Sequence, residues 1–207
     1  MNAHTQRHSV AGPSGTIECA IDRPAGGGAR GVAVVCHPHP QHGGTMDNKV
    51  VQTLARAFTQ LGYTAVRFNF RGVGASAGVW AQGPGEIDDA LAVVAACRAP
   101  GQPLVLAGFS FGAYVVSNAA ARLTAADAAA VERLVLVGPA ASRFDMAAVP
   151  PGTLVIHGEL DDVVPLAAVF DWARPLSLPV TVVPGAGHFF HGQLSLLKSL
   201  VVGAWHR

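Results

Sequence analysis

Hydrophobic residues fall along this chain in short, nearly continuous runs, each separated from the next by a longer stretch compatible with a helix. The runs are Thr16–Ile21, Val32–Cys36, Thr64–Asn69, Leu104–Phe109, Leu134–Val137, Thr153–His157 and Val180–Val183. Several are rich in valine, the pattern of strands covered on both faces. Helices are predicted at Asp47–Leu61, Gly85–Arg98, Gly112–Arg122, Leu166–Arg174 and Gln193–Trp205. This alternation implies an α/β chain with a mostly parallel central sheet and helices on both faces. Thr16–Ile21 precedes the first helix by the turn Gly26–Gly28, which makes it a candidate antiparallel edge strand. Asp47 or Asn48 is placed to cap the first helix. The Ala-rich stretch Thr124–Val131 reads as a short helix. Residues 1–15 are polar and expected to be poorly ordered. With neither repeats nor a long linker, the whole of 1–207 reads as one domain.

Half of the 207 residues are hydrophobic and 13% are charged, the composition of a well-buried fold. A formal net charge of +1 without Lys or Arg runs argues against nucleic acid and anionic membranes as partners. Met1–Gly15 lacks the apolar region of a secretory signal, and no stretch is long and apolar enough to cross a bilayer. Cys19, Cys36 and Cys97 form an odd set without CxxC spacing. These features favour a cytoplasmic, disulfide-free protein. A monomer and a homodimer are equally compatible with them.

Ligands in open α/β sheets bind at the carboxyl ends of the strands, so chemistry is sought there. Leu104–Phe109 runs into Gly108-Phe109-Ser110-Phe111-Gly112, a G-x-S-x-G match followed by a helical segment. A serine on a sharp strand-to-helix turn lies close to neighbouring backbone, and glycines two residues either side remove the clashes. The following helix aims its N-terminal amides at the site. Ser110 is therefore the candidate nucleophile.

A serine hydroxyl needs a base, and the base needs an acid to orient it. After Thr153–His157 come Glu159, Asp161 and Asp162, of which Asp161 is the preferred acid and Asp162 the alternative. After the last strand, Pro184-Gly185-Ala186-Gly187-His188 presents a histidine on a glycine-flanked loop. His188 is the candidate base, ahead of His191 and the C-terminal His206. A second site loop, His37-Pro38-His39-Pro40-Gln41-His42-Gly43-Gly44, follows Val32–Cys36. Pro38 and Pro40 have no N–H, leaving the His39 amide as the donor between them. It pairs with the Phe111 amide as a candidate oxyanion hole. His37, His39 and His42 also resemble a metallo-β-lactamase ligand run, but Gln41 replaces its acidic member and the helix alternation does not fit that architecture. No metal or cofactor is expected.

The His-Pro-His-Pro loop continuing through Thr45-Met46-Asp47-Asn48-Lys49, the stretch Phe68-Asn69-Phe70-Arg71-Gly72-Val73-Gly74-Ala75-Ser76, the Ser110 turn and the Asp161 and His188 segments occur in this order. Together they resemble the small, lid-poor α/β-hydrolase family of bacterial serine hydrolases over residues 16–200. The resemblance implies a Ser–Asp–His set, no metal, and small-molecule ester or thioester substrates cleaved through an acyl-enzyme on Ser110. Arg71 and Gly74 match a turn that is structural in such proteins, and Glu86 fits a helix start. The short stretch between Leu134–Val137 and Thr153–His157 leaves no room for a substantial cap, so an open pocket is expected. Phe109, Phe111, Trp80 and Phe189 are candidate walls. The competing classes are a non-catalytic binding protein of this fold and an acyltransferase with the same triad.

Overall fold

The computed structural model describes residues 5–206, with the side chain of residue 206 excepted. Eight strands form one sheet: β1 Gln6–Gly12, β2 Gly15–Asp22, β3 Gly31–Cys36, β4 Tyr63–Phe68, β5 Leu104–Phe109, β6 Arg133–Val137, β7 Leu154–Gly158 and β8 Val180–Val183. Their spatial order is β1-β2-β4-β3-β5-β6-β7-β8. The β1–β2 and β2–β4 pairs are antiparallel, and every other pair is parallel. Helices α1 Lys49–Gln60, α2 Pro84–Cys97, α3 Phe111–Ala126, α4 Leu166–Ala173 and α5 Leu194–Gly203 cover it.

Strand side chains alternate between two cores, as the pleat requires. Val32, Val34, Leu104 and Leu106 pack with α2, α3 and α4 on one face. Ala33, Val35, Val105 and Ala107 pack with α1 and α5 on the other. All six residues of β3 and of β5 are buried, and burying a Val or Leu side chain contributes roughly 1.5–3 kcal/mol. The two central strands are thus the rigid mount for the loops that leave their carboxyl ends.

Three expectations are corrected. Residues 6–12 are not a loose leader: they form β1 against β2, with Gln6, Arg7, His8 and Ser9 exposed and Val10 buried. Because β1 takes the edge, Thr16–Ile21 lies one strand in, antiparallel as expected but paired on both sides. Thr124–Val131 is no separate helix. The last turn of α3 absorbs its start, and a turn in which Asp127 accepts the Ala129 N–H ends it.

Local chemistry explains where the site-bearing helices begin. The Asn48 side chain accepts from the Val50 N–H at 2.9 Å and caps α1. At α2, the Glu86 carboxylate accepts from Gly83 N–H at 2.7 Å and Ala81 N–H at 2.9 Å. Arg71 grips Asp89 through two nitrogens, at 2.9 and 2.7 Å, fixing the turn after β4 to α2. The connection from β6 to β7, residues 138–153, contains no helix.

Candidate active site

Ser110 stands between β5 and α3 with φ 56° and ψ −117°. A residue with a side chain held there costs on the order of 1–3 kcal/mol and persists only where its surroundings enforce it. A Cβ on Gly108 would strike the backbone of Gly112, and one on Gly112 would strike the carbonyls of Cys36 and His37. The Ser110 N–H donates to Val137 O of β6 at 2.9 Å. The turn is tight because three backbones meet there.

Asp161 follows β7, and His188 follows β8. His188 Nε2 lies 3.0 Å from Ser110 Oγ, and its Nδ1 lies 2.7 Å from Asp161 Oδ2. A carboxylate only accepts, so Nδ1 carries the proton and Nε2 turns its lone pair to the serine hydroxyl. Asp161 Oδ1 accepts from the Val163 N–H at 3.0 Å and the Val164 N–H at 2.7 Å. Burial alone would raise this carboxyl. The bonds from His188 and Val164, with the neighbouring imidazoles, outweigh burial and hold its pKa below the ordinary value. Asp162 is exposed, and Glu159 accepts from the Gly185 N–H. His191 is exposed, and the His206 side chain lies outside the described residues.

A buried histidine beneath this chain was not singled out in the sequence. His157 Nε2 is 2.9 Å from Val164 O and 3.4 Å from Asp161 Oδ2. The carbonyl accepts, so Nε2 is protonated and Nδ1 bare. Burial is the main influence lowering its pKa. The available signal was a polar residue near the end of an otherwise apolar strand, four positions before Asp161.

The His39 and Phe111 amides, Pro-flanked and helix-starting respectively, have no protein acceptor among the described residues. Both residues line a cavity of about 670 Å³ that Ser110, His188, Phe144 and Phe189 also line. Phe109 is instead buried against the His188 ring, centroids 4.9 Å apart. Trp80 stays outside the lining and packs on His39 and Phe111, at 4.6 and 5.1 Å.

The histidines of the loop do separate work. His37 Nδ1–H donates to Pro38 O at 2.6 Å, and its Nε2 accepts the Phe70 N–H at 3.1 Å. Burial takes its pKa down to about 4. His39 Nδ1 accepts from the Gln41 N–H. With His37 committed to backbone on both nitrogens, the three imidazoles do not form a ligand set. The loop is further held by Asn69 Oδ1, which accepts the Met46 N–H at 2.9 Å, and by Arg67, which donates to Met46 O at 2.8 Å.

Residues 29–169 match the family model described as serine aminopeptidase, S33. The chain belongs to this family of α/β hydrolases. Within it, this S33-type hydrolase is similar to an α/β serine hydrolase without a lid from Xanthomonas campestris, with 41% identity and a TM-score of 0.88. That alignment covers 100% of this chain and 96% of the other. An α/β serine hydrolase homologue from Coxiella burnetii is 42% identical over 96% of each chain, with a TM-score of 0.81. An uncharacterized protein of Rickettsia prowazekii is 30% identical over 86% of this chain and 79% of its own length. The S33-type hydrolase shares the lid-less architecture of the Xanthomonas protein, consistent with its helix-free β6–β7 connection.

Proposed function

We propose that this hydrolase is a serine esterase that cleaves small ester or thioester substrates through an acyl-enzyme on Ser110. The observation that carries the reading is His188 bridging Ser110 Oγ at 3.0 Å and Asp161 Oδ2 at 2.7 Å. His188 Nε2 accepts the hydroxyl proton as Ser110 attacks the carbonyl, and Asp161 stabilises the imidazolium. The His39 and Phe111 amides donate to the oxyanion; losing one such donor costs about 10²–10³ in kcat. His188 returns the proton to the leaving alcohol or thiol. It then deprotonates the water that frees the acid. Among the described residues the cavity lining holds no Asp or Glu to pair with a free α-ammonium group, which favours esters over the N-terminal peptides suggested by the family description.

The test is labelling by a fluorophosphonate probe together with turnover of a short p-nitrophenyl ester. Both are expected in the wild type and lost in Ser110→Ala. Labelling that persists in the variant refutes Ser110 as nucleophile. Adding an alcohol acceptor distinguishes acyl transfer, which would divert most product to the new ester.

A further inference from the structure

Charge is unevenly distributed around the cavity beside Ser110. Among the described residues its lining includes one arginine, Arg143, and no acidic residue. Arg143 lies on the helix-free 138–153 connection, where its backbone N–H donates to Ala140 O at 3.0 Å. It is exposed, and its guanidinium has no ion-pair or hydrogen-bond partner among the described residues. The arginines Arg30, Arg67, Arg71, Arg122 and Arg174 all pair with carboxylates. Asp161 supplies no counterion, because it is buried with both oxygens engaged. The nearby His39 has its pKa lowered by burial first, then by His42 and Arg143. Arg143 is therefore the permanently charged side chain among the described residues of this lining.

We propose that Arg143 selects esters that also carry a free carboxylate. The planar guanidinium fork matches a carboxylate with two parallel bonds. One lone cation suits a monoanion, whereas a phosphate monoester brings about −1.5 to −2 charges at neutral pH. Phe144, Phe111 and Val163 supply an apolar wall for the chain between ester and anion. The assignment rests on the serine-esterase reading of Ser110, and it names the substrate class that reading leaves open.

The experiment compares kcat/KM for two matched pairs. One is p-nitrophenyl hemiglutarate against its methyl ester, with the anion on the acyl side. The other is butyryl glycolate against its methyl ester, with the anion on the alcohol side. Discounted for exposure, a charge-assisted bond here favours the anionic member of one pair by about fivefold to tenfold. Arg143→Ala collapses that ratio toward unity, and Arg143→Lys keeps part of it. A ratio near unity in both pairs, or one unchanged in Arg143→Ala, overturns the proposal. So does Arg143-dependent inhibition that is stronger with glycerol phosphate than with the monocarboxylate butyrate. Fluorophosphonate labelling of Ser110 is run alongside. Labelling without a carboxylate preference sinks the Arg143 assignment alone, whereas absence of labelling sinks the esterase reading.

Discussion

Replacing Asp161 by asparagine tests the proton arrangement more sharply than removing the side chain. In the native site Oδ1 accepts two amides, at 3.0 and 2.7 Å, while Oδ2 accepts His188 Nδ1–H at 2.7 Å. Asparagine has one oxygen. The Val163 and Val164 amides require an acceptor, so that oxygen stays with them and the NH₂ faces His188. An NH₂ donates; His188 must then leave Nδ1 bare and carry its proton on Nε2. That proton points at Ser110 Oγ, and the base is lost although every heavy atom stays in place. In a Ser–His–Asp set this tautomer trap costs about 10⁴ in kcat, or about 5.4 kcal/mol of barrier. Asp162→Asn, on an exposed neighbour, is expected to stay within about twofold, as surface substitutions usually do. The assay is p-nitrophenyl acetate hydrolysis by both variants, with thermal melts to show that each is folded. Asp161→Asn retaining more than a tenth of wild-type kcat would refute the tautomer argument. An equal loss in Asp162→Asn would refute the assignment of the acid.

Three further outcomes follow from buried groups away from the hydroxyl. His37 stays neutral in the folded protein down to about pH 4, whereas in the unfolded chain it takes a proton near its ordinary 6.5. Its contribution is thus complete above pH 6.5 and declines on acidification toward 4, by about 3 kcal/mol at most; urea unfolding at several pH values should show this slope, and an undiminished slope in His37→Gln would contradict it. Gly112→Ala forces a Cβ into the Cys36 and His37 carbonyls. A cost of about 3 kcal/mol lowers the melting temperature by roughly 6–12 °C, and a melt within a degree of wild type would show the turn to be looser than described. Burial pushes the Cys19 thiol up to about 12 and Cys36 well above its ordinary value, so neither forms appreciable thiolate near neutral pH. Iodoacetamide should leave ester hydrolysis intact; activity lost in step with alkylation would implicate a cysteine.

What the sequence made legible is what local sterics and order along the chain dictate. Gly108 and Gly112 announce the Ser110 turn because any side chain there meets backbone. Asp161 and His188 were readable because each sits on a short loop after a strand. Asp161 is preferred to Asp162 from its place just past the strand end, but the physical difference between them, one buried and the other exposed, is visible only in the fold. The strand β1 escaped notice because an edge strand with one buried side chain has no apolar pattern to detect. His157 and Arg143 escaped for another reason. His157 matters through its 3.4 Å approach to Asp161, and Arg143 through the cavity it borders. Arg143 carries no local signature, and His157 only that of a polar residue ending an apolar strand.

The distant motifs of the chain converge on one requirement of the proposed oxyanion hole, a loop amide that does not move. An oxyanion donor is effective only if it is already aimed when charge develops, because reorganising it during reaction consumes the stabilisation it offers. The His39 amide sits on a loop, the element least able to hold position by itself. Here the loop is anchored from the adjacent strand and the turn beyond it. His37 receives the Phe70 N–H, Asn69 receives the Met46 N–H, and Arg67 reaches Met46 O and Asp47. The Gly44 N–H closes back on His39 O at 3.0 Å, and a Cβ at Gly44 would meet the Pro38 carbonyl. Arg67 is itself buried and paired with Asp22 of β2. A buried ion pair is seldom net stabilising, because desolvation offsets its attraction. Its presence is better explained by what it fixes: two loops, from β3 and β4, locked in one register beside Ser110. That lock gives the His-Pro-His-Pro loop and the stretch after β4 one shared task, although neither Arg67 nor Asn69 lines the cavity.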